Sequence, residues 1–220
     1  MIATVIAALL LGQTQVPQES GPSLASASPN PAGETARPAR ARTAADPASL
    51  AEMQAFGRCA ARRAPAKAAA LLQMDYTTPQ YQQALRKLAL SNASCSPGKQ
   101  GRFAGVLFAG AVAEELLSHA GNLPEALAYD PAKTAVKTLG ETDRTANCVA
   151  RTASREVAAL FATPVASEAE RAAIRTLTPV VETCMAKGQT ARFNYPGLRA
   201  ILATASYRIV EAGRASAAAG

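Results

Sequence analysis

The chain has 220 residues, of which 49% are hydrophobic, 18% charged and 5% aromatic, with no Trp, one His, four Cys and a net charge of +7. About a quarter of it is alanine, the best helix former, while β-branched and aromatic residues are few. That balance excludes a β-sandwich or barrel, predicts an all-α fold, and leaves enough apolar content for a packed core.

The charge is uneven along the chain. Residues 1–48 are neutral, 49–120 carry eight bases against four acids, 121–143 two against four, and 144–220 ten against five. Two basic segments flank an acidic connector, a balance that draws a protein to anionic polymers and membrane surfaces. The bases are scattered and aromatic stacking platforms are scarce, so nucleic acid is not the expected partner.

In chain order, residues 2–11 (IATVIAALLL) are apolar, too short to span a bilayer and sized for the hydrophobic region of a signal peptide. Ala25-Ser26-Ala27 fits the small-x-small cleavage rule, assigning 1–27 to a signal peptide, with an earlier cut near Gly12 left open. The expected destination is the periplasm or the exterior, and no transmembrane span is expected in the mature chain. Residues 28–48 continue a Pro/Ala/Ser-rich stretch with almost no large apolar side chain and read as a flexible tether.

A helix is predicted from Asp46-Pro47, an N-cap followed by proline at the first helical position, with Ser49 and Glu52 placed for a capping box. It carries Cys59 and Arg62, and Pro65 kinks or restarts it. The stretch from Asp75 to Pro79 is a turn into a second helix with Tyr81, Leu85 and Leu88 on one face. Pro97-Gly98 marks a loop, and 103–119 form a very apolar third helix that ends unit 1 (49–120). After the connector (121–143), unit 2 (144–214) places a capping box at Ser167 and Glu170, a helix end at Pro179, and a last helix from Pro196. The stripe of that last helix is Leu198, Ile201, Leu202, Ala205 and Ile209, and residues 215–220 read as a disordered tail.

The cysteine spacing is the most informative feature. Cys59 and Cys95 are 36 apart, as are Cys148 and Cys184, and an offset of 89 aligns Arg62 with Arg151, Leu71 with Leu160, Leu85 with Ile174, Arg86 with Arg175 and Leu88 with Leu177. One inserted residue later Arg102-Phe103 meets Arg192-Phe193. This predicts two tandem helical-hairpin-based units of three or four helices, related by pseudo-symmetry. A hairpin of equal arms brings its open ends together, so the repeat favours Cys59–Cys95 and Cys148–Cys184 among the three connectivities. Closely spaced pairs such as CxxC are absent, which argues against zinc and thiol catalysis and for structural disulfides in an oxidising compartment.

The pattern CAARRAPAKAAALL … C, then CVARTASREVAALF … C followed by Gln-x-x-Arg-Phe, resembles a group of uncharacterised exported bacterial proteins that are alanine-rich, helical and often duplicated. The resemblance covers residues 56–210 and implies an exported helical repeat, with nothing catalytic attached.

No catalytic residue, cofactor or metal is nominated. His119 falls near the end of the third helix, and Glu114-Glu115 read as the solvated face of that helix. Arg62, Arg151, Arg86 and Arg175 read as repeated structural arginines, the first covering the disulfide or bonding carbonyls at the open end of the hairpin. Lys99, Gln100 and Arg102, with their counterparts Lys187, Gln189 and Arg192, precede helix starts and are candidate anion-binding residues. The helix over 103–113 is expected to be core, or the face on which two copies or two chains pack. These features predict a non-enzymatic binding or scaffold protein of the cell envelope with an anionic or protein partner; the alternative is a small envelope hydrolase.

Overall fold

In the computed structural model, which describes residues 46–96, 104–131, 135–188 and 194–219, the described chain is helical throughout, without a strand. The leader, all but the last residues of the tether, and the Pro97-Gly98 loop lie outside the described residues. Helix α1 (Pro47–Arg63) begins where the sequence places a cap, with the Asp46 carboxylate accepting from Ser49 N at 3.0 Å. The Ser49 hydroxyl donates to the same oxygen, so Asp46 alone caps the helix and the expected Ser49–Glu52 box is replaced. Pro65 pushes Ala64 out of the helical region (φ −138°, ψ 57°), ending α1 and starting α2 (Pro65–Gln73). The Thr78 hydroxyl accepts from Tyr81 N and opens α3 (Pro79–Ser91), which is followed by a 3-10 turn (Ala93–Cys95).

The apolar third helix is α4 (Gly105–Leu117), and the expected connector contains a short helix, α5 (Leu123–Leu127), whose Leu127 is fully buried. Helices α6 (Glu141–Thr152) and α7 (Ser154–Phe161) are separated at Ala153 by a break of nearly the same geometry as that at Ala64 (φ −120°, ψ 49°). Ser167 caps α8 (Glu168–Cys184) by accepting from Glu170 N at 3.0 Å. The Glu170 carboxylate turns back to Ala166 N at 2.7 Å and supports a left-handed φ of 60° there.

Two expectations are corrected. Pro179 does not end its helix: α8 runs through it to Cys184. Pro179 is exposed, so its ring and the unfilled carbonyl of Arg175 face water, while buried Val181 and the Cys148–Cys184 bridge hold the following turn in place. Nor does the chain fray after 214, because α9 (Tyr195–Ala219) continues through the expected tail.

The disulfides pair as the spacing predicts, Cys59–Cys95 and Cys148–Cys184, each with Cα atoms 5.7 Å apart. Each closes a loop of 36 residues, worth roughly 3.8 kcal/mol in the chain-entropy account. The core is centred on α4, which lies against α1 on one side and α9 on the other. Phe56 of α1 meets Phe108 of α4 with ring centroids 4.9 Å apart. Of the apolar stretch 103–113, residues 104–113 are described: Phe108 to Ala113 are buried within the chain, and Val106 is widely exposed.

Close helix crossing demands glycine. A Cβ on Gly110 would lie 2.5 Å from Ala200 Cα on α9, and one on Gly57 would lie 2.4 Å from Ala111 Cβ on α4. Gly110→Ala should gain about 1 kcal/mol of helix propensity. It should lose more, toward the upper end of the ~1–3 kcal/mol typical of overpacking, because the obstacle is backbone. Equilibrium urea denaturation should show a lower midpoint for G110A, and an equal or higher midpoint would contradict this packing.

Candidate functional site

Two arginines of α9 are buried in the described structure, and both are used twice. Arg199 donates bidentately to Glu114 of α4 (Nε to Oε1 2.7 Å, Nη2 to Oε2 2.8 Å), and its Nη1 reaches Glu170 of α8 at 3.1 Å. It also donates to the carbonyls of Phe161 and Thr163 at the end of α7. Arg208 donates to Asp143 of α6 at 3.2 Å and to the carbonyls of Leu72 and Met74 at the end of α2. Each guanidinium therefore fills carbonyls that a helix C-terminus leaves without partners and neutralises a carboxylate from another helix. Burial works against the Arg199 charge, but the hydrogen bond and charge of Glu114 and the charge of Glu170 outweigh it and raise its pKa.

A third centre lies on α4. Glu115 is buried, and its Oε2 accepts from both Arg58 (2.9 Å) and Arg62 (3.0 Å) of α1. Burial alone would raise this carboxyl, yet the two arginine hydrogen bonds and charges hold it below the usual value. The solvated-face expectation for Glu114-Glu115 is thus overturned: an acid pair on a core helix is stable only because α1 and α9 bring arginines to it. The structure also turns both carboxylates toward arginines rather than toward His119, which is exposed past the end of α4.

A cavity of about 400 Å³ opens between α2, α3, the first turns of α4 and α6, and the middle of α9. Its apolar wall includes Leu72, Leu85, Val106, Ala109 and Ile201, and its polar part is formed by Arg208, Asp143, Tyr76 and Thr142. The Arg208 guanidinium carbon lies 5.4 Å from the centre of the Tyr76 ring. Burial, then the Asp143 charge, raises the Tyr76 phenol, and burial also raises that of Tyr81, so both remain neutral hydroxyls at ordinary pH.

Of the candidate anion-binding residues, Lys187 is exposed just beyond α8, whereas Lys99, Gln100, Arg102, Gln189 and Arg192 lie outside the described residues. Among the repeated arginines, Arg62 bonds Glu115 rather than the disulfide or hairpin carbonyls. Arg175 bonds the exposed Glu168, Arg86 is exposed on α3, and Arg151 is half-buried on α6. Sequence reasoning missed Arg199 and Arg208, although a signal was present. Both border the apolar stripe of α9, where a charge must be buried and therefore paired.

Among the described residues, no three His, Cys, Asp or Glu side chains gather as a metal site requires, and no helix is long and apolar enough to cross a membrane. Comparison with protein-family models, with curated proteins and with solved structures yields no match.

The ionic centres separate by the exposure of what is left behind. Arg199→Met strands Glu114 and Glu170, whose side chains are 7% and 3% exposed, and should cost about 3–5 kcal/mol. Glu115→Gln strands only Arg58 and Arg62, which are half in water, and should cost about 1 kcal/mol after solvent screening. Because the folded Glu115 pKa is depressed, its contribution is complete above the unfolded value near 4.5 and lost as pH falls through the folded one. Urea midpoints of E115Q and wild type should therefore differ at pH 7 and converge in acid; a constant difference would rule out the charge as the cause.

Proposed function

We propose that this chain is an exported, non-enzymatic helical binding or scaffold protein of the cell envelope, with affinity for an anionic partner and built by duplication of a two-cysteine unit. The observation that carries the binding reading is the charge at the end of α1. Arg58 and Arg62 share one carboxylate oxygen of Glu115, so the pair is not neutralised, and exposed Arg63 and Lys67 add to the same end. Such a surplus on rigid helices attracts an anionic surface at little cost in ordering. Lys187 and the loop residues Lys99, Arg102 and Arg192 are assigned to the same role.

The engagement of carboxylates favours binding over hydrolysis. Glu114, Glu115, Asp143 and Glu170 are each committed to an arginine that ties helices together, whereas a general acid or base must be free to exchange a proton with substrate. Export is supported by two disulfides that staple helix ends, a device of oxidising compartments.

Duplication is supported by element boundaries. The breaks at Ala64 and Ala153, and the caps at Thr78 and Ser167, are each 89 residues apart. Past the inserted residue the offset is 90, and it pairs Gly110 with Ala200, two positions so close that a Cβ on Gly110 would lie 2.5 Å from Ala200 Cα. A residue that touches its own counterpart is what a two-fold axis through that crossing would produce.

Binding of the purified, disulfide-intact protein to vesicles of anionic lipid, measured by co-sedimentation, should weaken steadily with added salt, since exposed charges are screened beyond roughly 8 Å at physiological ionic strength. Replacing Arg63, Lys67, Lys99, Arg102, Lys187 and Arg192 by Ala should weaken it strongly, leaving only the share that Arg58 and Arg62 supply. Salt-insensitive binding, or full binding by that variant, would refute the anionic partner.

A further inference from the structure

We propose that the cavity beside Arg208 is a binding site for a small amphipathic molecule: an apolar chain or ring carrying an uncharged head that both donates and accepts hydrogen bonds, such as a primary amide. Its size comes first. Side chains in protein interiors close most voids, and about 400 Å³ is the volume of a ligand pocket rather than a packing defect. On the α4 side it is lined by the small residues Gly105 and Ala109, and on α2 and α3 by Leu72 and Leu85.

The apolar part of the wall calls for an apolar body, and the polar part specifies the head. Arg208 has five N–H groups, of which three serve Leu72 O, Met74 O and Asp143. Leu139 N and Arg208 both bond the Oδ2 of Asp143, so among the described residues its Oδ1 keeps lone pairs for a further donor. The site thus presents donors and an acceptor side by side, already neutral as a pair. A carboxylate head would meet the charge of the buried Asp143, and an ammonium head that of the buried Arg208. An uncharged head with both hydrogen-bonding capacities satisfies the two residues without such conflict.

This site is separate from the basic surface proposed above, and the two fail separately: salt should weaken anionic binding and leave the cavity unaffected. The test is isothermal titration calorimetry of the intact protein with octanamide, octanoate and octylammonium, which share a chain and differ in the head. Octanamide should bind with one-to-one stoichiometry, and the two charged probes about tenfold more weakly or not at all. Val106 is 58% exposed where it lines the cavity, so V106W should obstruct the site and abolish binding while leaving the melting curve in place. Gln82→Trp, at an exposed lining position on α3, gives a second obstruction. Absence of saturable binding, binding that survives both obstructing variants, or tighter binding of either charged probe would overturn the proposal.

Discussion

The architecture depends on burying two guanidinium groups on a single helix. A buried charge without partners is prohibitively costly, so Arg199 and Arg208 oblige other helices to deliver acceptors to α9. Arg199 takes carboxylates from α4 and α8 and carbonyls from the end of α7; Arg208 takes a carboxylate from α6 and carbonyls from the end of α2. Shifting α9 by one turn would leave charges and carbonyls in apolar surroundings. That penalty fixes the register of the long helix more firmly than apolar contact alone, which an alanine-rich surface makes nearly as well in several positions.

Alanine shapes the rest. Small side chains bury little area each, so the core relies on close approach, and Gly57 and Gly110 let α1 and α9 come almost into backbone contact with α4. A core of this kind gains less from each residue than a leucine-rich one, and the two disulfides offset part of the difference by restricting the unfolded chain. Ala109 of α4, Leu72 of α2 and Leu85 of α3 line the cavity, so side chains do not fill all the space between these helices.

What was legible in the sequence was whatever rests on local chemistry. Asp46 before Pro47, Pro65 after Ala64 and Ser167 before Glu170 act within one turn, and their effects are in place as read. The cysteine pairing was legible because equal spacing in two segments records a long-range contact in local form. What depends on partners from other helices was not. Glu114 and Glu115 look like a solvated face until α1 and α9 supply arginines, and Pro179 looks like a stop until a bridge beyond it holds the helix. The break at Ala153 makes the same point, since no proline follows it and the chain still turns there as at Ala64. The cavity had no sequence signature, because its walls come from five helices and its polar part joins residues from α6 and α9.

The internal pairing also determines what the outside presents. Among the described residues, the carboxylates withdrawn from water are Glu114, Glu115, Asp143 and Glu170, whereas the buried guanidiniums are Arg199 and Arg208. More negative than positive charge is therefore buried, which leaves the exterior of the described unit more basic than its composition. Glu115 contributes most directly, since its carboxylate is buried while both its arginines keep about half of their side-chain surface in water. The same pairings that fix α9 in register and hold α1 on α4 thus concentrate positive charge outward, and they leave beside Arg208 an interior space whose own charges cancel. One set of ion pairs is thus responsible both for the more basic exterior of the described unit and for the paired charges that border the cavity.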